Sequence, residues 1–385
     1  MSKLQELIKE LCPDGVEFRK LGEVCEITIG EFVHKNKQIE DGKYPVYNGG
    51  RENTGFYESY NNIGNKVIIS ARGANAGYVN KVLTNYWAGN SCYSLFPLDV
   101  QYLNWFFLYY VLKSKEKELM GNQQTGSIPA LSKKQIEQIE IPLPPLEVQN
   151  EIVRILDTFT SHAAELQAEL QARKEQYEYY RNKLLTFDEN DEGVKWMKLG
   201  DVTFYPKERI SISLLHKDNY IGVDNLLPNK QGKKESDYVP SNGSCILYNV
   251  NDILIGNIRP YLKKIWMSNN NGGTNGDVLV FRLKDEFLNH IMHKYLYYLL
   301  SSDDFFNYDN QYAKGAKMPR GDKNMNMKYI IPIPPFSEQQ RIVSILDKFE
   351  SLVNDLTAGL PAEIAAVQEQ YEYYRNKLLT FKRKS

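Results

Sequence analysis

Part of this chain is written twice. Residues 176–187, QYEYYRNKLLTF, recur letter for letter at 370–381, and IPLPPLEVQNEIVRILDTF from Ile141 is echoed by IPIPPFSEQQRIVSILDKF from Ile331. A repeat of this length constrains the fold before any other signal, because the same structural unit has to be built twice. The echo extends outward: GVEFRKLGEV from Gly15 answers GVKWMKLGDV from Gly193, and FLYYVLKS from Phe107 answers YLYYLLSS from Tyr295. A fainter match joins VIISARG from Val67 to DILIGNI from Asp252. Between these anchors the letters diverge. The plan this predicts is an N-terminal helix (1–11), a first variable domain (12–140), a central repeated helical spacer (141–191), a second variable domain (192–330) and a C-terminal repeated spacer (331–385).

The repeated blocks carry a heptad seam. In the first, Ile152, Leu156, Phe159, Ala163, Leu166, Leu170, Arg173, Tyr177, Tyr180 and Leu184 follow four-three spacing, the pattern of a helix that buries one stripe against another. In the second, Ile342, Leu346, Phe349, Val353, Leu356 and Leu360 keep the rhythm, which takes one extra step of four to Ile364 and resumes at Val367, Tyr371, Tyr374 and Leu378. That stutter falls at Gly359 and Pro361, where the missing N–H predicts a kink. The prolines at 142, 144 and 145, and at 332, 334 and 335, deny helix to the approach and mark where each helix starts. A helix from Leu146 to Phe187 would be about 60 Å long. It cannot bury its seam alone; the partner is either the other copy in the same chain, lying antiparallel, or a second chain.

The variable blocks read as α+β domains. Short strand-like runs such as KVIIS from Lys66, SCYSLF from Ser91, DILIG from Asp252 and DVLVF from Asp277 are separated by Gly and Asn clusters. Each block also holds one apolar, aromatic helix, near 101–114 and 288–302. Its stripe of Phe106, Phe107, Tyr109 and Tyr110 is expected to be core rather than a base-stacking platform. The whole is thus two mixed domains joined and spaced by two long antiparallel helices.

Charge separates the blocks. Residues 192–335 hold 19 Lys and Arg against 15 Asp and Glu, whereas 146–191 hold 5 against 10, so the second variable domain is mildly basic and its neighbouring spacer acidic. There the cations cluster after strand-like runs: Asn257, Arg259, Lys263 and Lys264, then Lys314, Lys317 and Arg320 around MPRGDK. The first domain offers Arg72, Asn75, Asn90, Gln123, Gln124 and Lys133. Arg and Lys suit phosphates and guanine acceptors, and Asn and Gln suit adenine, which makes these the candidate DNA contacts. Over the whole chain 47 basic residues balance 48 acidic ones, which excludes a uniformly basic coat.

Catalytic signatures are missing. There is no G-x-x-x-x-G-K-[ST] phosphate loop. His290 and His293 have ligand-compatible spacing without a third ligand. Ile333-Pro334-Pro335-Phe336 looks like the Asn-Pro-Pro-Phe signature of amino-methylating DNA methyltransferases, but Ile333 cannot hydrogen-bond an exocyclic amine. Cys12, Cys25, Cys92 and Cys245 are scattered and read as reduced, packed thiols. No apolar run approaches the length of a membrane span and the first residues are amphipathic, so a cytoplasmic protein without membrane contact is expected.

Two divergent domains separated by near-identical helical segments, with IPxPPxxxQ leading into IVxILDxF and then QYEYYRNKLLTF, resemble the specificity subunit of type I restriction-modification enzymes. The second domain adds DILIGNIRPYLKKIW from Asp252 and GAKMPRGDKN from Gly315. The resemblance implies that each variable domain reads one half of a split double-stranded DNA target. It also implies that the repeated helices dock two copies of a methyltransferase subunit, with restriction subunits as optional further partners. S-adenosylmethionine would then belong to the methyltransferase, ATP and Mg to any restriction subunit, and this chain would hold no active site. A coiled-coil adaptor and a self-contained methyltransferase or nuclease are the competing readings. The N-terminal LQELIKEL is expected to pack near the C-terminal helix and close a circular arrangement.

Overall fold

The computed structural model describes residues 3–121, 129–188, 190–354 and 359–384. Contacts divide the chain into two units, residues 1–167 with 363–385, and residues 168–362. Each unit combines one mixed domain with segments of the repeated helices, so the α+β reading holds.

Most of the seam packs within one chain, while Tyr180 and Tyr374 keep an exposed edge. The first repeated block forms a single helix, Leu146–Leu185, of 40 residues. In the first unit its early part buries Ile152, Leu156 and Leu166, Phe159 stacks on Tyr374 at 5.4 Å, and Tyr371 and Leu378 pack on the cluster that holds Ile152 and Leu156. In the second unit its later part buries Leu170 and Tyr177, the tyrosine in one cluster with Ile342 and Leu346. There Tyr177 and Tyr180 lie on Phe349 at 6.4 and 5.7 Å, and Leu184 packs on the same cluster. The early part of one helix meets the late part of the other block, the order of an antiparallel pair. Leu356 lies outside the described residues. Where the sequence predicted one kinked rod there are two helices, Phe336–Asn354 and Leu360–Leu378. Pro361 sits in the first turn of the latter, where its missing N–H costs nothing.

The motif IPxPPxxxQ turns out to be a joint. The strand Glu140–Leu143 pairs antiparallel with Glu17–Lys20, and Ile330–Ile333 pairs with Lys195–Lys198 in the same register, Pro142 opposite Phe18 and Pro332 opposite Trp196. Proline is tolerated because each ribbon has only two strands. Three residues into each following helix sits a fully buried glutamine. Gln149 accepts from the Asn104 amide at 2.8 Å and donates to the Tyr102 and Pro144 carbonyls at 2.9 and 2.8 Å. Gln339 repeats this with the Met292 amide and the His290 and Pro334 carbonyls, at 2.9, 2.8 and 2.9 Å. The Asp of each ILDxF accepts from a tyrosine hydroxyl of the variable domain, Asp157 from Tyr110 and Asp347 from Tyr298. Burial raises both phenols well above their ordinary range.

Those tyrosines lie on the aromatic helices Trp105–Ser114 and His293–Leu300. Of the stripe, Phe107 and Tyr110 are buried and Phe106 and Tyr109 are half-buried against the same core cluster. Each helix packs with a four-stranded sheet of equivalent order: Cys25–Ile29, Cys92–Pro97, Lys66–Ser70, Val79–Val82 in the first domain, and Thr203–Phe204, Val278–Leu283, Ile253–Gly256, Ile265–Met267 in the second. The central register matches too, with Val67 opposite Leu95 and Ile253 opposite Phe281. All four cysteines are buried thiols, and burial pushes Cys25 and Cys92 up to about 12.

The expected contact between the chain's two end segments is present. The helix Lys3–Leu11 buries Leu4 in the cluster on which Leu378, Leu379 and Phe381 pack, and Lys3 pairs with Glu151 at 3.1 Å. Val16 donates to the Lys382 carbonyl at 2.8 Å and accepts from the Lys384 amide at 2.9 Å. Gly15, at φ +99°, allows this, since a Cβ there would lie 2.5 Å from the Lys382 oxygen.

Replacing either clamp glutamine by alanine strands one buried N–H and two carbonyls. Gln149→Ala and Gln339→Ala are each expected to cost roughly 2–4 kcal/mol in chemical unfolding. A loss below about 1 kcal/mol would show that the clamps do not hold the domains.

Candidate nucleic-acid interface

Both domains build the same strand crossing beyond the central sheet strand. In the first, Arg72 bridges Ala130, Gly73 donates to the Pro129 carbonyl at 2.9 Å and Leu131 to the Ala71 carbonyl at 2.9 Å. In the second, Ile258 bridges Arg320, Arg259 donates to the Pro319 carbonyl at 2.7 Å and Gly321 to the Asn257 carbonyl at 3.2 Å. The sequence-selected residues lie on or around these crossings, and their side chains are used differently.

In the first domain Arg72 is exposed and makes no hydrogen bond or ion pair among the described residues. Asn75 accepts from Arg51 Nε at 3.3 Å, and that guanidinium lies 5.5 Å from the Tyr78 ring. The Ala71 amide donates to the Ser91 carbonyl at 2.8 Å, which brings Asn90 to the same end of the sheet. Lys133 is the first residue of the helix Lys133–Glu137, capped by Ser132, and faces Glu137 at 3.7 Å. Gln123 and Gln124 lie outside the described residues.

In the second domain the backbone is strained. Arg259 and Lys263 are left-handed, at φ +54° and +50°, on either side of the turn Pro260–Leu262. Asn229 and Lys230 are left-handed as well, at +54° and +62°, and dock on that turn through Asn229 N to Leu262 O at 2.8 Å and Lys230 N to Lys263 O at 2.9 Å. Such a residue costs about 1–2 kcal/mol, less for an asparagine, and the docking of Asn229 and Lys230 on the turn flanked by the other two marks a backbone over-determined by its surroundings. Asp303 supplies the counterweight, accepting from Lys230 and Lys263 Nζ at 2.8 and 2.9 Å, with the buried Arg181 guanidinium 3.8 Å away. Burial alone would raise the Asp303 carboxyl; the two lysines outweigh it and hold the group down at about 2.

Arg259 and Tyr261 stay exposed at the tip of this turn. Lys264 donates to the Val223 carbonyl at 2.7 Å, and burial lowers its ammonium. Arg320 pairs with Asp277 at 3.2 Å and Lys314 with Asp322 at 2.7 Å, both from exposed positions. Lys317 is exposed and has no partner among the described residues. Asn257 is buried. The cations free to meet a ligand are therefore Arg72, Arg259 and Lys317, with Arg320, Lys314 and Lys133 available by partner exchange, while Lys263 and Lys264 serve the fold. The sequence reading missed Arg51 and Tyr261. Their signals were the glycine pair before Arg51 and the Arg-Pro-Tyr turn.

The model of the type I restriction modification DNA specificity domain matches this chain twice, over residues 13–176 and 191–366. A putative type I restriction enzyme specificity subunit of Haemophilus influenzae is 31% identical over 95% of this chain and 96% of its own length. The EcoR124I/EcoR124II specificity subunit of Escherichia coli is 33% identical over 71% of this chain and 70% of its own. Among solved structures, the S subunit of a type I restriction-modification system from M. genitalium has the same fold, with a TM-score of 0.60 at 18% identity over 95% of this chain and 96% of that one. The chain belongs to the type I restriction-modification DNA specificity family.

The Asp303 carboxyl, held below its ordinary 3.8, contributes stability that is present above about pH 4 and lost as pH falls towards 2. Urea midpoints followed through that window should fall less steeply for Asp303→Asn than for the parent chain. Parallel curves would mean that the lysine pairing adds nothing.

Proposed function

We propose that this chain is the DNA-recognition subunit of a type I restriction-modification complex, each variable domain reading one half of a bipartite double-stranded target. The observation that carries this is the duplicated crossing. One scaffold, fixed to its helix by the same glutamine clamp and Tyr–Asp bond, presents Arg51, Arg72, Asn75 and Asn90 in one copy and Arg259, Tyr261, Lys317 and Arg320 in the other. A guanidinium can pair bidentately with guanine, and amides can pair with adenine. Different side chains on one frame then read different sequences, and the DNA between the half-sites goes unread.

The repeated helices are the docking sites for two identical methyltransferase subunits. In each copy two neighbouring tyrosines are exposed on the helix face, Tyr179 (60%) with Tyr180 and Tyr373 (59%) with Tyr374. A lysine lies over the first ring in both, Lys183 at 5.9 Å and Lys377 at 5.6 Å. Two like patches call for two like partners. In this reading the chain supplies recognition and no catalysis; S-adenosylmethionine is held by the methyltransferase, and ATP and Mg by any restriction subunit that joins. None of the helices searched among the described residues is long and apolar enough to cross a membrane, in keeping with a cytoplasmic complex.

The test is co-expression with its companion methyltransferase in a host that lacks DNA methylation, followed by mapping of modified bases. A split motif that vanishes when this chain is omitted supports the reading; methylation indifferent to the chain would favour an adaptor. Arg259→Ala and Arg320→Ala should each relax one half-site by about tenfold or more, the 1–3 kcal/mol scale of one guanidinium–guanine pair. Equal loss at both halves would contradict independent domains.

A further inference from the structure

The two crossings can be compared position by position. The bridges Arg72–Ala130 and Ile258–Arg320 make Ala71 the counterpart of Asn257 and Leu131 that of Gly321. The helix caps Ser132 and Asp322 follow directly, and four residues beyond them stand Ile136 and Asn326. In the first domain the set is apolar and buried: Ala71, Leu131 and Ile136. In the second it is polar and equally buried: Asn257, Asn326 and a newcomer, Asp309, from the helix Asp303–Gln311.

Gly321 makes room for the newcomer. A Cβ there would lie 2.1 Å from Asp309 Oδ1 and 3.0 Å from Asn257 Oδ1, so the carboxyl fills space beside the backbone that a side chain at 321 would claim. Asn326 Nδ2 donates to Asp309 Oδ1 at 2.9 Å. Asp309 Oδ2, Asn257 Oδ1 and Asn326 Oδ1 are buried without a hydrogen-bond partner among the described residues, and burial pushes the carboxyl up to about 6 against the pull of the Asn326 amide.

Unmet buried polar groups each cost about 1–3 kcal/mol, and the first domain shows that the same frame closes with aliphatic side chains. Folding therefore does not require the polar set. Its position explains it better. Asn257 stands two residues before Arg259, Gly321 directly follows Arg320, and the helix that supplies Asp309 also supplies Asp303, which grips Lys230 and Lys263. One helix holds the Arg259 turn from both sides. The Asn326–Asp309 hydrogen bond ties that helix to the one that follows the Arg320 segment, and a directional contact fixes a relative position where a greasy one could slide.

We propose that Asp309 is the positioning residue of the second half-site: with Asn257 and Asn326 it sets the Arg259 turn against the Arg320 segment, and so decides which bases that domain accepts. This rests on the DNA-recognition reading above.

The experiment uses the full chain in complex with its methyltransferase and compares methylation at cognate sites with that at sites carrying one mismatch in either half. Asp309→Ala should raise methylation at mismatches in the half-site read by the second domain about tenfold relative to cognate sites, the scale of a one-base-pair penalty. Mismatches in the other half should be tolerated no better than before. Asp309→Asn, which keeps the shape and an oxygen to accept from Asn326, should restore discrimination. Asn257→Ala installs the residue that the first domain already carries at Ala71; it should reproduce the one-sided relaxation even if Asp309→Ala fails to fold. Methylation lowered evenly at all sites, with the mismatch ratios unchanged in both alanine variants, would overturn the proposal and leave Asp309 a core residue. A parent complex that shows no split motif would instead overturn the recognition reading on which it rests.

Discussion

Two buried amides hold the architecture together. Gln149 and Gln339 each occupy the place where a variable domain runs up against a repeated helix, and each spends its carbonyl and both amide hydrogens on backbone groups of the approach segment and the proline turn. The amide has no freedom left: rotate it by half a turn and donors face donors. Two turns further along each helix the Tyr110–Asp157 and Tyr298–Asp347 bonds add a second point of attachment. Two points define an orientation as well as a contact, so the sheet behind each aromatic helix inherits its direction from the helix it sits on.

Rigid joints let the loops vary. The second domain tolerates four left-handed non-glycine residues in one contact because Asp303 and its lysines fasten the turn; the first domain reaches the same crossing with Gly73 at φ +90° and no such strain. The same frame thus supports a relaxed and a tense version of one surface. The difference between them lies in side chains that leave the joint untouched.

Much of this was legible in the letters. Duplication located both joints, and heptad spacing identified the seam; the reversed order of its contacts then settled that the partner strand is in the same chain. The aromatic stripe was core, as helical spacing suggested. What could not be read was which polar residues were spoken for. Asn257 and Lys263 have the right chemistry to touch DNA, yet one is buried and the other is committed to Asp303, forty residues later in the chain. Asn229 and Lys230 reach the Arg259 turn from a loop earlier in the chain, and their conformation is imposed by that docking, so composition carries no trace of it. The second rod was read as kinked because Gly359 and Pro361 fall at the stutter; Pro361 instead lies in the first turn of the helix Leu360–Leu378.

The letter-for-letter identity of 176–187 and 370–381 poses a problem of assortment during folding. Either dodecamer offers the same Tyr and Leu seam, so intrinsic affinity cannot tell the two docking places apart. Discrimination has to come from what flanks each copy: the first is covalently continuous with the helix from Leu146, while the second leads into the segment whose Lys382 and Lys384 hydrogen-bond Val16. At high concentration, a dodecamer from another molecule satisfies the seam just as well. Swapped dimers are the error that this chain must fold quickly enough to avoid.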